Sequence, residues 1–166
     1  MGSRTAYAGI AADGDVYTAA NHRRMPGGWI GYTERATDLT GVSNADTEIV
    51  NVAVTAGANR LLLVECWAKL RLRMSASPGM AEAQVRLKQD GTQIAVAKWQ
   101  ASVGSTLGTA EEMALVARKV VVGPSAGAHT YSASLFSGST SYIADVLAGS
   151  VGPAAVITVV DLGPSS

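Results

Sequence analysis

The chain has a single cysteine, Cys66, and a single phenylalanine, Phe136, among 166 residues. One thiol can neither close an intrachain disulfide nor build a cysteine metal cage, so the fold must be held by its own core. Cys66 lies in the apolar run Leu61–Ala68, where a buried, inert thiol is expected. Histidine is nearly as scarce. His22 and His129 each lack a second histidine at metal-ligand spacing, so neither a metal nor a cofactor is expected. Charge of one sign is not in excess either: 13 basic residues balance 13 acidic ones, which leaves no field to draw the chain to nucleic acid or anionic lipid. No segment approaches the roughly 18 uninterrupted apolar residues of a spanning helix. Met1-Gly2-Ser3-Arg4 is not followed by the apolar stretch of a signal peptide. These absences describe a protein made in the cytoplasm without membrane insertion.

Catalytic signatures are missing too. No serine stands in a G-x-S-x-G elbow, and Gly149-Ser-Val-Gly152 lacks the lysine and the strand-to-helix setting of a phosphate loop. Glu111 and Glu112 are adjacent, but neighbours on a strand point to opposite faces and cannot share one reacting centre. A dispersed hydrolase would need His129 in a pocket with an acid and a serine within hydrogen-bond reach. Basic residues cluster at His22-Arg23-Arg24, in a stretch that reads as coil, and at Lys69-Arg71-Arg73, where alternation with leucines reads as a solvated strand face rather than a phosphate site. The sequence thus reads as non-enzymatic.

What is abundant is Gly, Ser, Thr, Ala and Val, a composition suited to many short strands joined by small-residue turns. Arg60–Ala97 organises the rest. Glu82, Gln84, Arg86 and Lys88 alternate with Ala83, Val85 and Leu87, a period of two that places charge on one face and apolar side chains on the other. Asp90-Gly91 supplies a tight reversal with positive φ, after which Ile94 and Val96 resume the alternation. The expected unit is a three-stranded antiparallel meander, its apolar side covered by a second sheet.

Further strands are expected at Trp29–Arg35, Thr47–Thr55, Ala128–Phe136, Tyr142–Leu147 and Ala154–Leu162, with Thr37–Asn44 as a polar loop and Ala56–Asn59 as a hairpin connection. Glu111–Val122 is compatible with a helix in its first half, but Val116 and Val120–Val122 are β-branched, so it reads as a strand. The total is about eight or nine strands without a crossover helix: an all-β, antiparallel, two-sheet β-sandwich of jelly-roll type over residues 29–166.

Residues 1–28 show little strand periodicity, with a short helix possible over Asp15–Met25, and read as an extended N-terminal arm for attachment to a partner. Only 16% of residues are charged, below the quarter to third (about 25–35%) usual for a solitary domain, so part of the outside is expected to be covered by copies of the chain or by a larger assembly. Trp29, Tyr32, Trp67 and Trp99 are the candidates for self-association or packing. A carbohydrate-binding module is the competing class, with those four, Tyr131 or Tyr142 as stacking surfaces.

Two junctions resemble a known group. Tyr17-Thr-Ala-Ala-Asn21 followed by Met25-Pro-Gly-Gly-Trp-Ile-Gly-Tyr32, and the ending Val156-Ile-Thr-Val-Val-Asp-Leu-Gly-Pro164, are similar to small β-sandwich virion proteins of tailed phages that infect actinobacteria. Thr37–Gly41, Ala58–Arg60, Gln89–Gly91 and Ser125–Tyr131 match the same pattern, so the resemblance spans about residues 17–164. It implies a structural role in the virion as a minor tail or fibre-like protein, or alternatively a capsid decoration subunit. It also implies a homotrimer, other tail or capsid proteins as partners, and host surface glycans as a further contact. Tyr17, Asn21, Arg23, Arg24 and Pro26 are the residues it would place in the attachment arm.

Overall fold

The computed structural model describes residues 28–75, 78–103, 110–149 and 152–165. The expected helix and arm residues Tyr17, Asn21, Arg23, Arg24 and Pro26 lie outside these. Ten strands are present among the described residues: β1 (Gly28–Arg35), β2 (Leu39–Val42), β3 (Ala45–Ala56), β4 (Arg60–Met74), β5 (Gly79–Gln89), β6 (Thr92–Val103), β7 (Ala110–Val122), β8 (Gly127–Ser137), β9 (Tyr142–Val146) and β10 (Ala155–Pro164). They form two antiparallel sheets. One runs β1-β10-β4-β9-β2, with β7 on the other side of β4, and the second runs β3-β8-β5-β6.

The pairing follows one rule. β1 pairs with β10, β2 with β9, β3 with β8, β4 with β7 and β5 with β6, all antiparallel. The described chain is therefore one long hairpin, folded over so that β1/β10, β2/β9 and β4/β7 fall in one sheet and β3/β8 and β5/β6 in the other. That nesting gives the strand orders β1-β10-β4-β7 and β3-β8-β5-β6 of a jelly roll, with the short β2/β9 pair added at one margin. The tip of the hairpin is Asp90-Gly91, where φ values of 50° and 82° make the two-residue reversal that the Asp-Gly pair favours.

Three expectations need correction. Arg60–Ala97 is not a single meander: β4 belongs to one sheet while β5 and β6 belong to the other, so the Pro78-Gly79 turn crosses the sandwich. Ala56–Asn59 likewise joins different sheets and is no hairpin. Period-two alternation sets which face of a strand is buried but not which neighbour it bonds. The third is the strand count: Leu39–Val42, read as loop, is the additional strand, too short and glycine-interrupted to show periodicity.

The core lies between the sheets. Leu62, Val64, Cys66, Ala68, Leu70 and Leu72 of β4 are all 0% exposed, and Ala83, Val85 and Leu87 of β5 and Tyr131, Ala133 and Leu135 of β8 meet them from the second sheet. β4 is long enough to serve β10 along Arg60–Trp67 and β9 along Leu70–Met74, and it is flanked by β7 throughout. Its inward residues are thus covered on every side.

Candidate functional site

The two sheets are dressed differently on their outer faces. On the four-stranded sheet many of the outward residues are polar and paired with one another, with Met80 and Val96 as exposed apolar exceptions. Asp46 takes Arg86 at 3.2 Å and Lys88 at 3.0 Å, Glu82 accepts from Gln84 at 2.6 Å and Gln100 at 2.7 Å, and the Arg86 guanidinium lies 3.5 Å from the Phe136 ring centre. Such a face is content in water.

The outer face of the six-stranded sheet is apolar at one end. Cross-strand register places Trp29 of β1 beside Val160 of β10, Val160 beside Leu63 of β4, and Leu63 beside Val120 of β7. Leu61 pairs with Val122, which is 70% exposed. The next outward row is polar: Tyr32, Thr158, Glu65 and Arg118. Beyond it lie Glu34, Val156, Trp67 and Val116. These apolar side chains gather at one end of the face, interrupted by the polar row.

At the far end the face closes on itself. Asp145, with its side chain fully buried, accepts from Arg71 and Arg73 at 2.9–3.0 Å and from the Gly41 amide at 2.8 Å. Burial alone would push its carboxyl up, but Arg73, the Gly41 amide and Arg71 outweigh that and hold it below the ordinary carboxylate value. Lys69 pairs with Glu112 at 2.7 Å. The basic triplet expected as a solvated strand face is therefore committed to acids on neighbouring strands.

Trp29 and Tyr32 are 71% and 50% exposed, and their rings lie nearly parallel, 12° apart, with centres 6.2 Å from each other. Residues three apart on a regular strand face opposite ways. A bulge between Trp29 and Gly31 breaks the alternation and brings both rings to one side. Gly31 makes it possible, since a Cβ there would meet Val54 Cγ1 at 2.5 Å. Trp67 sits half-buried on the same face, whereas Trp99 points inward from β6 and packs against the core. Tyr131 is fully buried, which removes it as a stacking surface. Sequence alternation missed the pairing of Trp29 with Tyr32 because it depends on the bulge.

The hairpin tip brings His129 to an acid and a serine. Its Nδ1 is 2.7 Å from Asp90 Oδ2, and its Nε2 is 2.9 Å from the Ser125 carbonyl oxygen and 3.3 Å from Ser125 Oγ. Asp90 also accepts from the Thr130 amide at 2.8 Å. Carboxylate and carbonyl are both acceptors, so the ring satisfies the two of them only as a doubly protonated imidazolium. The Asp90 hydrogen bond, followed by that of Ser125, raises the His129 pKa above its ordinary value. A general base for Ser125 needs a bare Nε2, and here that nitrogen donates to the serine's own carbonyl. The arrangement is a clasp between the β5–β6 turn and the β7–β8 loop. Among the described residues, no group of three His, Cys, Asp or Glu side chains is placed to hold a metal, and no helix is long and apolar enough to cross a membrane.

Neither a family model nor a curated protein matches the chain. Among solved structures, it is similar to the EclA C-terminal domain, described as a sugar-binding protein, at 14% identity and a TM-score of 0.35, over 70% of this chain and 74% of that one. It is similar to an arabinose-bound α-L-arabinofuranosidase at 11% identity and a TM-score of 0.35, over 87% of this chain but 24% of the other. The VP2 subviral particle of infectious bursal disease virus is similar at 16% identity and a TM-score of 0.26, over 99% of this chain and 46% of that one. Likenesses this distant carry nothing about function, and what stands is the fold: an all-β, two-sheet antiparallel sandwich.

Proposed function

We propose that the protein is a non-enzymatic structural subunit of a tailed-phage virion, a minor tail or fibre-like protein, that assembles with copies of itself through the outer face of its six-stranded sheet. The observation that supports this reading is the unequal dressing of the two sheets. One outer face carries a network of paired polar groups with only Met80 and Val96 exposed among its described large apolar side chains, while the other leaves Val116, Val120 and Val122 exposed and Leu61 and Leu63 half-buried beside them. Burying such side chains stabilises an interface by about 25 cal/mol for each Å² removed from water, and a self-associating subunit is the economical way to cover them.

Sedimentation velocity on the full chain tests the assembly. The expected species is a trimer that a Val120→Asp, Val122→Asp double variant converts to monomer with an unchanged far-ultraviolet spectrum. A wild-type monomer at every concentration would overturn self-assembly. Failure of the wild-type chain to co-sediment with assembled phage particles would overturn the virion role.

A further inference from the structure

We propose that Trp29 and Tyr32 form a saccharide-stacking site at the β1 margin of the six-stranded sheet, taking a neutral hexopyranose within a glycan chain. Trp29 ends the apolar row that runs through Val160 and Leu63 to Val120, so this site borders the proposed assembly face, and substituting only the β7 end of that row separates the two.

The rings are held in place rather than merely exposed. The β1 bulge and the close approach of Gly31 to Val54 aim them to one side. The Tyr32 hydroxyl donates to Glu34 Oε2 at 2.7 Å, which fixes the phenol while the exposed carboxylate keeps its second oxygen for another donor. A water-exposed pair of parallel aromatic faces is costly to maintain unless something flat and partly apolar covers it, and the C–H face of a pyranose is such a surface.

Hydroxyl groups at the rim of that sugar need acceptors and donors, and the strand register supplies them in order. Thr158 lies directly across from Tyr32, Glu65 across from Thr158, and Arg118 across from Glu65. A hydroxyl, a carboxylate and a guanidinium thus extend from the aromatic pair along one row, the mixture of flat apolar surface with a few polar groups that small-ligand sites use. Glu34 and Glu65 stand nearer the rings than Arg118 does, which disfavours acidic sugars and selects neutral ones.

The test is a printed array of neutral oligosaccharides probed with the full-length chain, followed by titration with cellotetraose and mannotetraose monitored by tryptophan fluorescence. Saturable binding of at least one neutral glycan is expected, weakened at least about tenfold by Trp29→Ala. Glu34→Gln, which keeps an oxygen for Tyr32, weakens it about threefold. The Val120→Asp, Val122→Asp variant retains binding whether or not it changes the oligomer, which separates this site from the assembly face. A silent array, or Trp29→Ala binding as tightly as wild type, overturns the site. So does a Trp29→Ala variant whose only change is in sedimentation, since the rings would then belong to a protein contact.

Discussion

His129 shows how much a single side chain can depend on its neighbours. Its pKa is raised in the folded chain, so the stability it contributes is fully present below its ordinary value of about 6.5 and is lost as pH rises through the folded value. The Asp90 carboxyl is held below its ordinary value by that same hydrogen bond and by the Thr130 amide, so its share is lost as pH falls through its own folded value. The clasp therefore works in a window between the two. His129→Gln is expected to lower the melting temperature near neutral pH, and the gap from wild type should narrow at alkaline pH. A pH-independent gap in a series of thermal melts would show that the ring acts by packing alone.

Cys66 makes the opposite case, in which burial is everything. It is 0% exposed, and burial, with a smaller contribution from Glu65, pushes its thiol up to about 12. An aromatic disulfide reagent is expected to leave it unreacted in the native protein and to titrate one thiol in denaturant. Rapid native reaction would mean that β4 opens readily. The sequence alone foretold this inert thiol, because a largely apolar run, with Glu65 as its one charge, has few ways to expose its centre. It could not foretell the Ser125–His129–Asp90 proximity, since Asp90 is 39 residues from His129 in the chain.

At the level of strands, the alternation of Glu82–Lys88 with Ala83–Leu87 marked which side of β5 faces the core, and Val116 and Val120–Val122 correctly marked β7 as a strand. Bulges escape such reading. The shift at Trp29/Gly31 costs one residue of register and is paid back only by a close approach to β3, which no local pattern displays. Gly31→Val is expected to lower stability by about 1–3 kcal/mol through overpacking against Val54 and Val52. A denaturant titration with an unchanged midpoint would show that β1 can move away freely.

Asp145 holds β2, β4 and β9 together through Gly41, Arg71 and Arg73. Its removal leaves two guanidinium groups facing each other, but both reach water, so Asp145→Ala is expected to cost about 2–3 kcal/mol, less than the 3–5 of a wholly buried pair. Chemical denaturation measures it. A loss below about 0.5 kcal/mol would mean that water replaces the carboxylate without penalty.

For the whole molecule, association through apolar side chains predicts a particular response to salt. Screening weakens contacts between exposed charges, whereas sulfate strengthens apolar burial. Raising ammonium sulfate at constant protein concentration should therefore increase the associated fraction in sedimentation velocity. Dissociation by moderate sodium chloride would instead place the contact on charged groups and shift attention to the polar outer face of the four-stranded sheet.

By itself the sequence determined that this chain is all-β, that its strands are one-sided, and that a tight turn sits at Asp90-Gly91, because side-chain period and turn preference act between residues that are near in the chain. Only the tertiary structure decided that β4 and β5 part company across the sandwich, that β1 pairs with β10, and that one end of the six-stranded sheet's outer face gathers apolar side chains. Those outcomes depend on which strands come together over long stretches of chain. A backbone hydrogen bond is the same between any two strands, so partner choice is settled by the packing of the whole core.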